Sequence, residues 1–188
     1  MRHLAFGESK RSWLDHIIAY VRISAIKREI VQGGKLLDLG CGYNGELLQE
    51  LSGQISGGTG IDLSVNPKTK LMKGRVDQKL PLESNTFDAV SALAIIEHVD
   101  YPEIMLNESY RVLKPGGKLL ITTPSLMGKL PLEIMAYLGL ISKAEIDDHK
   151  RYYTRSSLRQ ALMDVGYKQV KVKHFGILWL NLLAKATK

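Results

Sequence analysis

The chain has 188 residues, of which 45% are hydrophobic and 24% are charged, a balance that suits one folded domain and excludes global disorder. Its 26 Lys and Arg residues exceed its 19 Asp and Glu residues, and the net charge of +7 favours anionic partners such as acidic metabolites, nucleic acid or a membrane face. A single cysteine excludes an intramolecular disulfide, and no apolar run reaches the roughly 18 residues of a membrane-spanning helix.

The first half of the chain predicts an alternation of helices and short strands. Apolar residues recur at helical spacing over residues 12–31, which indicates an amphipathic helix that ends before the Gly33-Gly34 pair. Shorter apolar runs follow, and they predict a strand over 35–39, a helix over 45–51, and strands over 59–63 and 69–73.

The second half continues this alternation until its last two strands. We predict a central strand and its exit over 87–96, a helix from Pro102 closed by a turn over 114–117, and a strand over 118–123. A helix over 154–165 follows, and then two strands, at Val170 and Val172 and over 177–184. Strands that alternate with helices favour an α/β, doubly wound and mostly parallel sheet. The two adjacent strands at the end favour an antiparallel hairpin on that sheet.

The domain organisation is expected to be simple. Residues 1–188 are expected to form one domain, in which residues 1–34 are an N-terminal helical cap. Residues 125–151 follow the strand over 118–123 and are expected to be a lid-like insertion that projects over the carboxyl ends of the strands; this segment is apolar early and polar late.

The stretch LLDLGCGYNG places three glycines, Gly40, Gly42 and Gly45, between a predicted strand and a predicted helix. Glycines there let the backbone approach a ligand closely, and a helix N-terminus presents unpaired N–H groups to an anion. In an open α/β sheet, such a turn lies at the carboxyl ends of the strands, where ligands bind. The glycines alone do not separate a nicotinamide dinucleotide from S-adenosylmethionine.

Three carboxylates near this turn can contact the cofactor, and one of them separates the two candidates. Asp38 directly precedes the glycines, where it would repel the pyrophosphate of NAD but could face the ammonium and sulfonium groups of S-adenosylmethionine. Asp62 ends the second strand and can accept hydrogen bonds from the ribose hydroxyls of either cofactor. Asp77 could accept from the adenine amino group, with Val76 and Leu80 near the base. The charge of Asp38 therefore favours S-adenosylmethionine.

Five blocks over about residues 35–124 occur in a fixed order: LLDLGCGYNG, GIDLS, VDQKLPLESNTFDAV, EHV and RVLKPGGKLLITTP. They resemble the class I S-adenosylmethionine-dependent methyltransferases, and DDHKRYYTRSSLRQALMDVGY is similar to the same group's C-terminal part. The resemblance implies a Rossmann-like seven-stranded sheet with an antiparallel last strand, and methyl transfer to a small molecule, a lipid or a macromolecule. It also implies cofactor contacts at or beside the motifs, which we assign to Asp38, Gly40, Cys41, Gly42, Asp62, Leu63, Asp77, Gln78 and Leu93.

One segment departs from the family pattern. The family commonly has a full helix between the second and third strands, whereas only the short stretch SVNPKTKLMKG lies there in this chain. That helix is expected to be truncated or absent, which would leave the adenine side of the pocket, near Asp77, more open.

Methyl transfer requires alignment of the reactants and exclusion of water, and some acceptors must also lose a proton, so no catalytic triad is expected. His98 is the first candidate for a base, and a purely structural hydrogen bond is the alternative. His149, within DDHKRYY, is the second candidate, with ion pairing in a solvated loop as its alternative. A metal site is the other chemistry that these residues could support. The EHV block resembles quinone-pathway O-methyltransferases, some of which use an acidic pair beside the histidine that corresponds to His98. Because Ala94 occupies one plausible acidic position, no required metal is expected.

The methyl acceptor is expected to be a small or lipid-like molecule. The chain lacks an Asn/Asp-Pro-Pro-aromatic stretch after the fourth strand and a basic stripe interleaved with aromatic residues, which argues against nucleic acid. A nicotinamide-dependent oxidoreductase and a non-catalytic methyltransferase-like domain that binds a protein partner stay open as alternatives. The first residues lack the apolar core of a signal peptide, which favours a cytoplasmic location.

Overall fold

The computed structural model describes residues 13–176 and 179–188, and its strands form one seven-stranded sheet. The strands are β1 (Lys35–Leu39), β2 (Gly57–Asp62), β3 (Met72–Lys73), β4 (Phe87–Leu93), β5 (Leu113–Pro124), β6 (Lys168–Phe175) and β7 (Asn181–Thr187). Their order across the sheet is β3-β2-β1-β4-β5-β7-β6, and β7 runs antiparallel to both of its neighbours while the other pairs are parallel. The predicted fold class is therefore confirmed.

Six α-helices are present in the described part of the chain. They are α1 (Trp13–Lys27), α2 (Glu46–Glu50), α3 (Pro102–Val112), α4 (Lys129–Tyr137), α5 (Lys143–Asp147) and α6 (Arg155–Val165). The start and the end of α6 follow from the sequence: the Thr154 hydroxyl accepts a hydrogen bond from the Ser157 N–H, and Gly166 ends the helix at a φ of 105°. No described helix has the length and the apolar character needed to cross a bilayer.

Several elements are shorter than the sequence predicts, for local reasons. The first helix stops at Lys27 instead of continuing to residue 31. The third strand is reduced to Met72–Lys73 from the predicted 69–73, and residues 63–71 form turns in place of the helix that the family commonly has here. Within the predicted strand and exit over 87–96, the strand itself ends at Leu93, because Ala94 adopts a φ of 51° that an extended strand cannot continue.

The largest differences between the predicted and the observed bounds of the elements concern β5 and β7. The turn predicted over 114–117 is part of β5, which begins at Leu113 and is irregular in register against Phe87 and Ala89. Gly116 has a φ of 79°, so the glycines accommodate an irregular strand rather than ending a helix. The last strand begins at Asn181 rather than at residue 177, and residues 177–178 of that prediction lie outside the described part of the chain.

Helix α1 joins the sheet to the segment that follows β5. Its C-terminal part buries Ile26 in a cluster with Leu36 and Leu51 beside the sheet. Its N-terminal part places Leu14 and Ile18 against a second cluster formed by residues of α4 and the segment that leads into α5, namely Leu132, Ala136 and Ile141. The carboxyl ends of the central strands are thereby enclosed between α1 and the 125–151 segment.

Candidate active site

Two adjoining cavities open at the carboxyl ends of the central strands. The larger cavity, of about 930 Å³ including its open mouth, lies between the glycine turn, the end of β4, α1 and the 125–151 segment. The smaller cavity, of about 490 Å³ on the same measure, lies beside the ends of β2 and β3. Gly40 and His98 line both cavities, so these two residues mark the place where the cavities meet.

The glycine turn follows β1 in a left-handed backbone conformation that residues with a side chain rarely adopt. Gly40, Gly42 and Gly45 have φ values of 71°, 73° and 68°. A Cβ atom on Gly40 would lie 2.7 Å from Cγ1 of Ile95, so this position is also limited by space. The Gly42 N–H donates a hydrogen bond of 2.9 Å to Oδ2 of Asp62, which ties the turn to the end of β2.

Asp38 lies in β1 with only 3% of its surface exposed, and it lines the larger cavity. Its Oδ1 accepts a hydrogen bond of 2.7 Å from the hydroxyl of Ser91. Burial, opposed by that hydrogen bond and reinforced by the nearby charge of Asp62, raises the pKa of Asp38 from 3.8 to about 7. In the described part of the chain, no cationic side chain forms an ion pair with Asp38, so a positively charged ligand would favour its ionised form.

Asp62 and Cys41 lie close to the glycine turn, one at each cavity. The Asp62 carboxylate is 3% exposed and lines the smaller cavity together with Leu63. Cys41 belongs to the turn and lines the larger cavity, and its Sγ would be 2.8 Å from a Cβ atom on Gly60. Burial raises the pKa of the Cys41 thiol, so this side chain has the character of a small packing residue rather than a thiolate nucleophile.

Asp77 lines the smaller cavity, but its carboxylate already accepts several hydrogen bonds. Arg75 donates from Nε and Nη2 at 3.0 and 2.8 Å, and the Asp100 N–H donates at 2.9 Å. Although burial alone would raise it, the pKa of Asp77 is lowered by these donors. A hydrogen bond to an adenine amino group would therefore compete with Arg75. Gln78 is exposed and lines neither cavity.

His98 and His149 lie together at the larger cavity. Their ring centroids are 4.8 Å apart in an edge-to-face arrangement. Nδ1 of His98 is 3.0 Å from Oδ2 of Asp148, and Nδ1 of His149 is 3.0 Å from the hydroxyl of Tyr152. The two histidines that the sequence singles out are thus brought to one place, by the end of β4 and by the segment after β5.

Glu97, His98 and His149 also form a group of potential metal ligands. One ligand atom from each lies within 4.8 Å of the others, and no other such group occurs among the described residues. Glu97 is fully buried, and its Oε2 accepts a hydrogen bond of 3.0 Å from the hydroxyl of Thr123. Groups of this kind also occur without an ion, so the expectation that no metal is required stays a prediction.

Sequence reasoning missed the contribution of α1 to the larger cavity. Asp15, Ile18 and Arg22 all line it, as does Glu46 at the start of α2. Asp15 is only 8% exposed, which is unusual for a carboxylate on a terminal helix. The spacing of Asp15, Ile18 and Arg22 at i, i+3 and i+7 was the available signal, because it places two charges on the buried face of an amphipathic helix.

Comparison with known proteins identifies the fold and its relatives. A family described as "Methyltransferase domain" matches residues 11–172. Proteins named ubiquinone biosynthesis O-methyltransferase from Dechloromonas aromatica and Coxiella burnetii are 32% and 30% identical over 63% and 69% of this chain. The matches span 60% and 58% of those relatives, so the chain corresponds to about three fifths of their length.

Solved structures share the fold at lower identity. A Thermotoga maritima S-adenosylmethionine-dependent methyltransferase, described as a possible histamine N-methyltransferase, has a TM-score of 0.71 at 21% identity and covers 94% of this chain and 92% of its own. Phosphoethanolamine N-methyltransferase 2 of Haemonchus contortus, solved with S-adenosylmethionine, has a TM-score of 0.66 at 16% identity over 89% of this chain and 52% of its own.

Proposed function

Since the chain belongs to the class I S-adenosylmethionine-dependent methyltransferases, we propose that it transfers a methyl group from S-adenosylmethionine to an O, N or C nucleophile of a small or lipid-like acceptor. The observation that carries this proposal is the pair of buried carboxylates, Asp38 and Asp62, at a glycine turn beside the two cavities. Neither carboxylate has a cationic partner among the described residues. The pair therefore suits a ligand that brings positive charge and hydroxyl groups.

The proposed cofactor position follows from the chemistry of the donor set. Asp38 would hold the ammonium group of the amino-acid end, and Asp62 would accept from the ribose hydroxyls. Gly40 and Gly42 would let the backbone approach the ligand. The remaining assigned contacts lie around these positions and would line the adenosine and methionine ends, namely Cys41, Leu63, Asp77 and Leu93. Gln78 could contribute only through a shift of its exposed side chain or through its backbone.

The larger cavity would receive the acceptor next to the cofactor. Ile18, Leu132 and Ile146 supply an apolar wall, and His98 and His149 supply the groups that can accept a proton. S-adenosylmethionine supplies an electrophilic methyl group, so the protein's part is to align the acceptor, exclude water and take the acceptor's proton. In this proposal α1 acts as a cap and residues 125–151 act as a lid.

An aromatic or aliphatic hydroxyl compound with an apolar body fits this wall and this base best. The relatives at about 30% identity are named as O-methyltransferases of ubiquinone biosynthesis, which supports a hydroxylated aromatic acceptor. A nicotinamide dinucleotide fits less well, because its pyrophosphate would face Asp38 and Asp62. The single cysteine, Cys41, suits the reducing environment of the cytoplasm as the proposed compartment.

A methyl-transfer assay with labelled S-adenosylmethionine tests this function. The protein is incubated with a panel of catechols, hydroquinones and primary amines, and label in the extracted product is counted. We expect transfer to at least one hydroxylated aromatic compound, and His98→Ala is expected to reduce it about 10²-fold or more. If the protein binds S-adenosylhomocysteine but transfers label to none of these acceptors, the result contradicts the proposed enzyme and favours the non-catalytic methyltransferase-like domain.

A further inference from the structure

We infer that Asp148 is a positioning residue that keeps the proton of the neutral His98 imidazole on Nδ1 and so leaves Nε2 as the proton acceptor. This inference rests on the proposed methyl transfer, in which His98 is the base. Nδ1 of His98 lies 3.0 Å from Oδ2 of Asp148 and 3.3 Å from the backbone carbonyl oxygen of the same residue. Two different acceptors of one residue therefore meet the same ring nitrogen.

The backbone carbonyl makes the direction of this contact unambiguous. A carbonyl oxygen can only accept a hydrogen bond, and an ionised carboxylate can also only accept. Nδ1 must therefore be the donor, and in the neutral ring the second nitrogen then carries the lone pair. The His98 side chain is 6% exposed and that of Asp148 is 16% exposed, so the contact is largely shielded from water.

The chain segment that carries Asp148 is fixed to the loop that carries His98. The Lys150 N–H donates 2.9 Å to the carbonyl of Glu97, and Nη1 of Arg151 donates 2.6 Å to the carbonyl of Val99. Glu97 and Val99 are the sequence neighbours of His98, so the two contacts hold the loop on either side of it. Asp148 is consequently held at a defined place by one backbone contact and one side-chain contact of its neighbours, and neither depends on its own side chain.

The ring itself is also restricted from the other side. The His149 ring packs edge-on against His98 at 4.8 Å, and the His149 ring in turn contacts Tyr152. A rotation of His98 that would bring Nε2 to Asp148 would have to displace this packing. The same segment, residues 148–152, thus supplies both the acceptor for Nδ1 and the surface against which the ring rests.

The direct test is the tautomer of His98. The protein is labelled with ¹⁵N at histidine, and long-range ¹H–¹⁵N correlation spectra are recorded at pH 8 for the wild type, Asp148→Ala, Asp148→Asn and the control Asp147→Ala, with His98→Gln used to assign the signals. Asp147 is an exposed aspartate next to Asp148 in the sequence. Its replacement by alanine removes one carboxylate, as Asp148→Ala does, but leaves the contact between Asp148 and His98 in place. We expect protonated Nδ1 and unprotonated Nε2 in the wild type and the control. In Asp148→Ala only the backbone carbonyl at 3.3 Å still accepts from Nδ1, so we expect part of the population to shift toward protonated Nε2.

Kinetics give the second readout. Asp148→Ala is expected to lower kcat about 10–100-fold while the KM for S-adenosylmethionine changes less than about threefold. The kcat of Asp148→Asn should lie between those of the wild type and Asp148→Ala, and that of Asp147→Ala should be close to the wild-type value. Retention of the S-adenosylhomocysteine thermal shift shows that the variants are folded.

Two results would overturn the inference: a wild-type His98 with its proton on Nε2, or an Asp148→Ala variant with an unchanged tautomer. If the wild type binds S-adenosylhomocysteine but methylates no acceptor, the proposed function fails, and the spectra alone then decide the role of Asp148. The two failures are therefore distinguishable.

Discussion

The buried carboxylate of Asp38 should make the folded protein less stable as the pH rises. Its pKa is about 7 in the folded chain and 3.8 ordinarily, so the folded state binds the proton more tightly than the unfolded state. Ionisation of Asp38 therefore lowers the free energy of unfolding. This loss begins above pH 3.8, where the unfolded chain ionises first, and is complete above about pH 7. This interval of about 3 pH units, at about 1.4 kcal/mol per unit, corresponds to about 4 kcal/mol at pH 8 and to less than half of that at pH 5.

Asp38→Asn removes this penalty while its amide oxygen can still accept the hydrogen bond from Ser91. We expect the variant without ligand to gain stability over the wild type, and to gain about 2–3 kcal/mol more at pH 8 than at pH 5. Urea unfolding at both pH values measures the difference, and comparing the two values cancels any contribution of the amide that does not depend on pH.

Asp88→Asn is the matched control. The Asp88 pKa is lowered, first by its hydrogen bond from Lys114, and both pH values lie above the ordinary value of 3.8. Its stabilising contribution is therefore complete at pH 5 and at pH 8, and the variant should lose the same amount of stability at both. An equal gain for Asp38→Asn at the two pH values would refute the assignment of a raised pKa to Asp38.

Three further changes test the site and its support. Asp62→Asn should abolish the stabilisation by S-adenosylhomocysteine, which at 100 times the dissociation constant is about 2.7 kcal/mol, or about 5–10 °C in a thermal shift assay; an undiminished shift would contradict the ribose role. Gly60→Ala should destabilise the protein by about 1–3 kcal/mol in urea unfolding, because the new Cβ would lie 2.7 Å from Cδ2 of Leu71 and 2.8 Å from Sγ of Cys41. Cys41→Ala removes the second of these contacts and should lower part of the cost; equal costs in both backgrounds would be evidence against a contribution of Sγ. Treatment with EDTA should leave methyl transfer within about twofold, and a loss that Mg²⁺ restores would show that the Glu97–His98–His149 group needs an ion.

The sheet was predictable because its signals are local. The apolar run before LGCGYNG, the Pro102 start of α3 and the Thr154 cap of α6 each describe an element through a few neighbouring residues. The errors occur where the end of an element depends on tertiary contacts or on one unusual dihedral angle. Ala94 ends β4 through a positive φ and through a hydrogen bond from its N–H to the carbonyl of Thr122. An alanine in an apolar run does not predict either feature.

The candidate site was predictable where it follows the glycine turn and was incomplete elsewhere. Asp38 and Asp62 lie at the ends of β1 and β2, and His98 lies in the turn that follows β4, so the sheet carries all three to the cavities. The ionic partner of Asp77, Arg75, is only two residues away, yet its pairing depends on the position of the loop that contains Asp100. The approach of Asp148 to His98 joins residues 50 positions apart and could not be derived from a single sequence.

Calorimetric titration of the wild-type protein with S-adenosylhomocysteine and, separately, with NAD⁺ tests the central claim that these cavities receive an adenosyl amino acid. We expect saturable binding of one S-adenosylhomocysteine per chain, lost in Asp62→Asn, and no heat of binding with NAD⁺. Saturable binding of NAD⁺ with none of S-adenosylhomocysteine would contradict the account.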